Sequence, residues 1–509
     1  MLDSSSDGKE QSAEVFDLCI IGAGIAGLNA LFVATQYLPK SARVVLIDRN
    51  KVCGGMWTET YDYVRLHQPH QMFTVGDMPW SWDRPDHYLA TGREVQAHLA
   101  SCLNKLRRQV NLVELFGYDC EGYQEVLTSD GPRTQIRCLK IGGDGGIRRI
   151  AALRTINAAG WDIPASEPLS LSSRHIISTA PNKLAEDDTD TSVPVVIVGG
   201  GKTGMDTAQT LLQQNPGRTI TLIIGQGTVF GNRDMLFPPG ARRWWQGTMV
   251  SSVSSDITMR FDGTNAEHVF DYFSKTYAIS PDGRGERYFF SMMSHDEAKA
   301  IRQGMDDIVS GYIEDIVDTD TGPHIIMRDG QRRPVSAGSV IINCTGYLLR
   351  RPRPHEPYVS SHGTILTITT RSSAYPLSGT SAYFLTHVFF LDKLSSLPLY
   401  ELDMDRLMKV SPKVFFLTSF TLAFYNMLVI MENVPMQVFG RCGLDLNRWY
   451  PVPRRIAGLV RLKFHQRKYM AHCRHSLDVV RRDYGIRCGP LEPGLPAKDG
   501  GAGQGQNSA

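Results

Sequence analysis

The hydrophobic pattern of the chain begins with a βαβ unit. Residues 16–21 form a short apolar run typical of a buried parallel strand, and this run leads directly into a glycine motif at residues 22–27. A helical pattern follows over residues 28–37. A second apolar run over residues 43–47 ends at Asp48. This order predicts a strand, a tight turn, a helix and a second buried strand.

The same pattern occurs a second time. Residues 194–198 predict a strand, a second glycine motif follows at residues 199–204, and residues 205–213 predict a helix. The next strand pattern covers residues 219–224 and is followed by Gly225. The chain therefore contains two units of the same kind.

Other segments complete the predicted organisation. Residues 112–154 indicate short strands and turns, and Ser294 with Glu297 forms a capping box that predicts a helix through Ile308. Residues 391–482 are mostly helical in pattern. The predicted fold class is α/β, with two Rossmann-like dinucleotide-binding domains and a mainly helical C-terminal region.

We expect five segments. They are the first part of one nucleotide domain (1–192), the second nucleotide domain (193–338), the second part of the first domain (339–390), the helical region (391–490) and a disordered tail rich in Gly, Ser and Gln (491–509).

Composition excludes several classes of protein. The 509 residues are 42% hydrophobic and 21% charged, which is ordinary for a globular chain. The nine cysteines form no C-x-x-C pair, which argues against a zinc site, a disulfide scaffold and a dithiol redox enzyme. His70, His87 and His98 lack metal-ligand spacing, so no metal site is expected. The polar N-terminus predicts no secretory signal, and we expect a cytoplasmic protein.

Charge is uneven along the chain. The net charge is +2, but residues 441–490 carry twelve Lys or Arg against three Asp. The basic residues are therefore concentrated near the C-terminus. Nucleic-acid binding is disfavoured because no reading motif accompanies this segment.

Each glycine of the first motif has a physical reason. Gly22 permits the tight turn, Gly24 lets the backbone approach a pyrophosphate, and Gly27 allows the helix to pack closely on the strand. The helix N-terminus favours a phosphate without any basic side chain. Asp48 stands where a carboxylate accepts a hydrogen bond from a ribose hydroxyl.

The second motif has a different end. Gly199, Gly201 and Gly204 repeat the spacing, and Lys202 and Thr203 begin the predicted helix. No carboxylate follows the next strand, which leaves room for a 2′-phosphate and favours NADPH over NADH. The cationic candidates for binding that phosphate are Lys202, Arg218 and Arg233.

Two dinucleotide sites in one chain suggest electron transfer between a nicotinamide and a flavin. Four further segments add to this pattern: Gly54-Gly55-Met56-Trp57, Leu66-His67-Gln68-Pro69, Gly204-Met205-Asp206 and Asn343-Cys344-Thr345-Gly346-Tyr347. Together they resemble the class B flavin-containing monooxygenases over residues 16–379. The Leu-His-x-Pro segment is most similar to the plant auxin-forming enzymes and their bacterial relatives.

The resemblance implies an assignment of residues. FAD would be held by Gly22, Gly24, Gly27, Asp48, Gly55 and Trp57. NADPH would be held by Gly199, Gly201, Lys202, Thr203 and Gly204, while Thr345 and Gly346 match the junction that links the two domains. The implied reaction uses NADPH and O2 to add one oxygen atom to a small or lipophilic substrate at nitrogen, sulfur or a carbonyl carbon.

Some positions depart from the family pattern. His175 is followed by Ile176, where the family has a His-Ser pair before the second glycine motif, and Ser378-Gly379-Thr380 lacks the Gly-Asp of related flavoproteins. His67 and Gln68 are the catalytic candidates, because either could donate a hydrogen bond to the flavin or to bound oxygen. A loop whose polar side chains bind backbone is the alternative.

The C-terminal region leaves a question open. Residues 414–431 carry no formal charge, and their length fits either a core helix or the lower limit of a membrane span. The basic residues 454–482 form either a solvated helix face or a peripheral contact with an anionic membrane or acidic partner.

Two rival functions remain. One is an NADPH-dependent flavin oxidoreductase without oxygen transfer, and the other is a catalytically silent nucleotide-binding or membrane-associated protein. The pattern does not give the oligomeric state or the substrate.

Overall fold

The computed structural model describes residues 13–142, 146–160, 166–184, 192–346, 355–368 and 377–490. The predicted tail at 491–509 and Tyr347 of the last motif lie outside these residues. The strands are β1 (Glu14–Ile21), β2 (Arg43–Asp48), β3 (Asn111–Phe116), β4 (Tyr118–Thr128), β5 (Gly131–Lys140), β6 (Ile147–Asn157), β7 (Ile177–Thr179), β8 (Val195–Val198), β9 (Ile220–Ile223), β10 (Phe230–Asn232), β11 (Ala278–Ile279), β12 (Met292–Met293), β13 (Asp307–Val309), β14 (Ile313–Thr319), β15 (Gly322–Met327), β16 (Arg332–Pro334), β17 (Val340–Asn343), β18 (Ile365–Thr367), β19 (Tyr400–Leu402) and β20 (Cys488–Pro490).

The helices follow in the same way. They are α1 (Ile25–Ala34), α2 (Gly92–Leu106), α3 (Lys202–Gln214), α4 (Arg233–Leu236), α5 (Val250–Arg260), α6 (Ala266–Tyr277), α7 (His295–Gly304), α8 (Ser378–Phe390), α9 (Met404–Val410), α10 (Pro412–Asn433), α11 (Met436–Gly440) and α12 (Val452–Tyr484). The predicted α/β class with a helical C-terminal region is confirmed.

The first sheet has the order β3-β2-β1-β6-β5-β4, with β18 also paired to β6. Strands β3, β2, β1 and β6 are parallel, and Ile21 is level with both Ile47 and Asn157. The loops that follow β1, β2 and β6 therefore meet at one edge of the sheet. Helix α1 packs against α8 from the C-terminal part of the chain.

The second sheet is parallel throughout, in the order β13-β9-β8-β17-β7. Val198 is level with Ile223 and Asn343, so the first turn of this unit meets the loops after β9 and β17. Strands β7 and β17 both pair within this sheet, although they lie outside the predicted limits 193 and 338. Strand β17 lies between β8 and β7, so the second sheet extends beyond both predicted limits of the domain.

Two local predictions were wrong. Residues 112–154 form long strands rather than short ones, because β4, β5 and β6 make a continuous antiparallel meander. The capping box of Ser294 and Glu297 is present, but its helix ends at Gly304 and not at Ile308. Ile308 instead lies in β13 and pairs with Leu222. The last residues of the predicted helix are therefore part of the second sheet.

Helix α10 lies in the core of the C-terminal region. It is long and apolar enough to cross a membrane by length and composition, but 83% of its most apolar window is buried inside the fold. It contacts α5, α6 and α12. These contacts fit the core-helix interpretation of residues 414–431.

Candidate functional site

One cavity of about 2630 Å³ is lined by both glycine turns and by the ends of the parallel strands that carry them. The predicted site residues that line it are Gly22, Gly24, Asp48, Gly55, Trp57, His67, Gln68, Gly199, Gly201, Lys202, Thr203, Thr345 and Gly346. Gly27 and Gly204 lie behind the two turns and do not line the cavity. The fold thus brings both predicted cradles to a common space.

The first cradle depends on two glycines that face backbone. Gly22 has a φ of +102°, and a Cβ there would lie 2.5 Å from the carbonyl oxygen of Ala158. A Cβ on Gly27 would lie 1.7 Å from the carbonyl oxygen of Gly22. A side chain at either position would push the turn away from its strand or its helix, so the requirement for glycine is steric.

A second loop closes over the first cradle. Gly24 approaches Gly55 so closely that a Cβ on Gly24 would lie 3.3 Å from the Cα of Gly55. Asp48 holds the same turn, since its Oδ2 accepts a hydrogen bond from the Ala23 amide at 2.6 Å. Burial is the largest influence on Asp48 and raises its pKa. Its carboxyl group is therefore shared between the turn and the cavity.

The second cradle repeats the first. Gly199 has a φ of +130°, and a Cβ there would lie 2.4 Å from the carbonyl oxygen of Cys344. A Cβ on Gly204 would lie 2.0 Å from the carbonyl oxygen of Gly199. Gly201 is different, because apart from its neighbours in the chain no atom of the described residues lies within 4 Å of the position its Cβ would take. That open space belongs to the cavity.

Both cradles leave a helix N-terminus without a side-chain cap. Helix α1 begins after Gly24 and α3 after Gly201, and neither glycine supplies a capping group. Helices α2 and α7, in contrast, carry complete capping boxes from Thr91 and Ser294. The uncapped amides and the positive end of each helix dipole suit the phosphates of a dinucleotide.

Side chains join the two cradles directly. The Tyr61 hydroxyl donates to Oδ2 of Asp206 at 2.9 Å, and Asp206 also forms an ion pair with Lys202 within α3. The hydroxyls of Tyr63 and Thr207 lie 2.8 Å apart, within hydrogen-bond distance. The loop that follows the first cradle is thereby fixed to the helix of the second.

His67 lies in this loop and stays neutral. Burial, and then the positive charges of Lys202 and Arg233, lower the pKa of His67 to about 3. The carbonyl oxygen of His67 accepts a hydrogen bond from Arg233 at 3.4 Å. The imidazole can therefore donate or accept a hydrogen bond at neutral pH, but it carries no charge.

Gln68 and Trp57 complete this wall of the cavity. The side-chain oxygen of Gln68 is buried and has no hydrogen-bond partner among the described residues. Trp57 meets Phe73 edge to face, with 5.6 Å between the ring centres. A buried acceptor without a partner is costly, so Oε1 of Gln68 suits a bound group that donates a hydrogen bond.

Two of the three predicted cations for a 2′-phosphate are engaged elsewhere. Arg218 is buried and donates to the carbonyl oxygen of Val193 at 2.8 Å, and it does not line the cavity. Arg233 forms an ion pair with Glu297 at 2.6 Å. Both of these candidates are therefore poorly suited to bind a 2′-phosphate, because their side chains support the fold. Lys202 does line the cavity, beside its partner Asp206.

Two other arginines lie at the end of β9, where a 2′-phosphate of the second nucleotide is expected. Arg287 and Arg328 line the cavity beside Gly225 and Gln226, which directly follow β9 and Ile224. Nη2 of Arg287 donates to Gln226 at 3.1 Å, while its Nε is buried and has no partner among the described residues. Arg328 lies over the ring of Tyr312 and is exposed. Neither arginine forms an ion pair with any residue that the structure describes.

Comparisons with known proteins begin with a family model that includes both glycine motifs. The family model for pyridine nucleotide-disulphide oxidoreductases matches residues 16–235. An uncharacterized protein of Mycobacterium tuberculosis is 26% identical over 400 residues, which are 74% of this chain and 67% of that protein. An FAD-dependent monooxygenase of Aspergillus sclerotiorum is 24% identical over 238 residues, which are 44% of this chain and 39% of that protein.

A solved structure adds to these similarities. A flavin-containing monooxygenase from Stenotrophomonas maltophilia is 15% identical and has a TM-score of 0.44, with 74% of this chain and 99% of that chain covered. The family model includes both glycine motifs, which supports a nucleotide-dependent oxidoreductase domain. The narrower resemblance to class B monooxygenases stays a prediction.

The third side of the cavity is aromatic and apolar. It is lined by Met249, Val253, Phe273, Tyr288, Phe290, Phe420, Phe424 and Met427. Phe290 and Phe420 stack at 5.8 Å between ring centres, and Phe290 holds an unusual positive φ of 57°. The charged side chains on this side are Asp445 and Arg455, and burial raises the pKa of Asp445. We call this side the aromatic compartment.

Sequence patterns missed these residues for a simple reason. Arg287 and Arg328 lie more than 80 residues after the second glycine motif, and no local spacing connects them with it. The aromatic compartment combines loops and helices from two distant parts of the chain. Its one local signal was the uncharged run at 414–431, which now supplies Phe420, Phe424 and Met427.

Proposed function

We propose that this chain is a monooxygenase that uses FAD, NADPH and O2 to transfer one oxygen atom to an apolar small molecule. One observation carries the proposal. Two uncapped glycine cradles open into a single cavity, and the aromatic compartment forms the third side of that cavity. Two nucleotides and a substrate would thus share one cavity.

The first cradle fits FAD. Gly22, Gly24 and the N-terminus of α1 would hold the pyrophosphate, while Asp48 would accept a hydrogen bond from a ribose hydroxyl. Gly55 and Trp57 would hold the flavin half. The N-terminus of α8 also reaches the cavity through Ser378, Gly379 and Thr380, despite the missing Gly-Asp pair.

The second cradle fits NADPH better than NADH. No carboxylate stands at Gly225 or Gln226, where it would bind a ribose 2′-hydroxyl and repel a 2′-phosphate. Arg287 and Arg328 supply positive charge at the same end of the cavity, and no acidic side chain among the described residues pairs with either of them. A 2′-phosphate would receive charge-assisted hydrogen bonds from both guanidinium groups.

When bound, the two cofactors would supply the electrons and the activation of O2. The chain's own residues would position the cofactors and the substrate and shield the reacting groups from water. The Tyr61–Asp206 bond would hold the two cradles at a fixed separation. His67, neutral at physiological pH, and Gln68 would orient groups by hydrogen bonds without adding charge. The aromatic compartment would exclude water from the reacting groups.

The lining of the aromatic compartment favours an uncharged, lipophilic substrate. Phe, Met and Val side chains provide contact area without polar partners, and burying a charged group among them would be costly. Oxygen transfer to nitrogen, sulfur or a carbonyl carbon is compatible with such a site.

A dithiol mechanism is a poor alternative for this cavity. Cys120 lines the cavity and lies opposite Cys138 across strands β4 and β5. Its contact with Cys138 and its burial both raise the pKa of Cys120. A thiol that stays protonated is a weak nucleophile, so this pair is poorly suited to disulfide exchange.

The decisive experiment uses purified chain reconstituted with FAD, NADPH and ¹⁸O2 and a panel of lipophilic amines, sulfides and ketones. We expect a yellow protein that oxidises NADPH and gives a product carrying one ¹⁸O atom by mass spectrometry. Steady NADPH oxidation that releases only hydrogen peroxide, with no labelled product across the panel, would favour the oxidoreductase alternative. A colourless chain that binds no FAD would contradict the proposal.

A further inference from the structure

The first half of α12 carries an exposed apolar stripe. Val452, Ile456, Val460 and Phe464 are spaced four residues apart, and all four side chains are exposed. Phe464 is the extreme case, with 84% of its surface accessible. Residues four apart share a helix face, so these side chains form a continuous strip. The fully buried residues of α12 begin only at Gln466.

Positive charge surrounds this stripe. Residues 452–477 contain seven Lys or Arg and no Asp or Glu. Lys463, Arg467 and Lys468 stand three or four residues from Val460 or Phe464 and therefore border the stripe. Together with Arg461 they are exposed, and none forms an ion pair with a residue of the described ranges.

A tryptophan turn extends the same surface. Nη1 of Arg454 donates to the carbonyl oxygen of Arg243 at 2.9 Å, which fixes the turn Gly240–Trp244 beside the start of α12. Trp244 ends this turn and Trp245 follows it, and 68% of the Trp245 surface is exposed. Large exposed indoles are uncommon on a free surface and are enriched where protein meets the polar boundary of a bilayer.

The apolar stripe also borders the cavity. Val452 and Ile456 line the cavity although they are exposed, and so do Leu459 and Leu462 on the inner side of α12. Exposed residues that line a cavity lie at its opening. The stripe therefore leads from the outer surface of the chain into the aromatic compartment.

We propose that the first half of α12 and the tryptophan turn bind the surface of an anionic membrane, with the cavity opening against the lipid. An exposed apolar stripe bordered by unpaired Lys and Arg is the pattern of a helix that lies in the membrane interface. The cations attract anionic headgroups, while Phe464 and the indoles enter the boundary with the acyl chains. Helix α10 stays in the core, so the contact is peripheral. This inference does not depend on the proposed reaction.

The test is sedimentation of the full chain, reconstituted with FAD, with vesicles of phosphatidylcholine alone or of phosphatidylcholine mixed with anionic phosphatidylserine. We expect binding to the anionic vesicles that weakens as salt increases, since screening shortens the reach of surface charge. Replacing Arg467 and Lys468 with Gln should weaken binding by about fivefold per cation. Phe464→Ser should weaken binding to the same vesicles at every salt concentration.

Matched controls separate this surface from general stickiness. Leu127 is 68% exposed on β4, and Lys299 and Arg108 are exposed cations on other faces. Leu127→Ser and the pair Lys299→Gln with Arg108→Gln should leave vesicle binding unchanged. The melting temperature of each variant checks that it is folded, and Val460→Ser replaces Phe464→Ser if the latter unfolds.

Any of four results would overturn the inference, and the first three concern vesicles and control variants. They are no binding to anionic vesicles, equal binding to both vesicle types, or equal losses in the control variants. Binding to poly-glutamate through Arg467 and Lys468, without binding to vesicles, would also overturn it and would assign the surface to an acidic protein.

Discussion

The Tyr61 hydroxyl donates a hydrogen bond to Oδ2 of Asp206 across 2.9 Å, and this bond spans the two halves of the candidate site. Tyr61 belongs to the loop after the first glycine cradle, and Asp206 lies in α3 of the second. Asp206 also pairs with Lys202, so one carboxylate ties the loop to the residue that begins α3. The hydrogen bond between Tyr61 and Asp206 therefore joins the two cradles through side chains that lie outside both glycine motifs.

Removing this bond should affect the transfer of electrons more than the binding of either cofactor. In Tyr61→Phe, a buried carboxylate oxygen loses a donor, and we expect the free energy of unfolding to fall by about 1–3 kcal/mol. The rate of flavin reduction by NADPH, followed by stopped-flow absorbance, should fall by a larger factor than NADPH affinity.

Tyr88→Phe is the matched control, because Tyr88 donates to Glu94 at 2.9 Å and does not line the cavity. It should lower stability by a similar amount and leave flavin reduction unchanged. If both variants slowed reduction equally, the bridge between the cradles would have no special role.

Two glycines of the second cradle should respond differently to alanine. In Gly201→Ala the new Cβ meets no atom of the described residues within 4 Å apart from its neighbours in the chain, so the chain should fold normally and retain FAD. The new methyl group would occupy the space assigned to the pyrophosphate, and NADPH affinity should fall at least tenfold by titration. Gly204→Ala should instead lower the melting temperature, because its Cβ would lie 2.0 Å from the Gly199 carbonyl oxygen. Unchanged NADPH affinity in Gly201→Ala would contradict the placement of the nucleotide.

Arg287 and Arg328 should control the choice between NADPH and NADH. Each charge-assisted contact with a phosphate contributes about 1.5–3 kcal/mol, so Arg287→Gln should raise KM for NADPH roughly 10- to 100-fold. KM for NADH should hardly change, because NADH has no 2′-phosphate. Arg328→Gln should act in the same direction and more weakly, since that side chain is exposed.

Arg284→Gln is the control for these two variants. Arg284 is exposed and lies three residues before Arg287, but it does not line the cavity. Its replacement should leave the ratio of the two KM values unchanged. A parallel loss with both nucleotides in Arg287→Gln would point to a structural role for that arginine.

His67 should make the folded state sensitive to acid. Its pKa is lowered from 6.5 to about 3, so the unfolded chain binds more protons than the folded chain between these values. Stability is unaffected above pH 6.5 and is lost as the pH falls, by at most about 1.4 kcal/mol per pH unit from this group. His67→Gln should lose less stability than the parent chain between pH 6.5 and 4, by urea denaturation. His268→Gln, at an exposed position, should follow the parent chain.

The local parts of the fold were predictable from the chain itself. A buried strand, a glycine turn and a helix are consecutive, so β1 with α1 and β8 with α3 could be predicted from one short segment each. The steric need for glycine at Gly27 and Gly204 is local, because each faces the carbonyl oxygen of the first glycine of its own motif, whereas Gly22 and Gly199 face backbone from distant segments. Thus the cradles were the most reliable part of the sequence analysis.

Residues brought together by topology were not predictable in this way. Strand β17 joins the second sheet from more than 140 residues after β8, and it carries Thr345 and Gly346 to the cavity. Arg218 and Arg233 were plausible cations by sequence distance, but tertiary partners engage both. Arg287 reaches the same end of the cavity because its segment runs beside Thr228. Such placements depend on pairing and not on local pattern.

The contact of each glycine turn with a late strand has a consequence for biosynthesis. Gly22 rests on Ala158, and Gly199 rests on Cys344, so each turn reaches its final shape only when a segment about 140 residues downstream has arrived. During translation, neither glycine turn can adopt its final conformation until the ribosome has synthesised the later segment that it contacts. The first turn can therefore take its final shape before the second, because Ala158 leaves the ribosome well before Cys344.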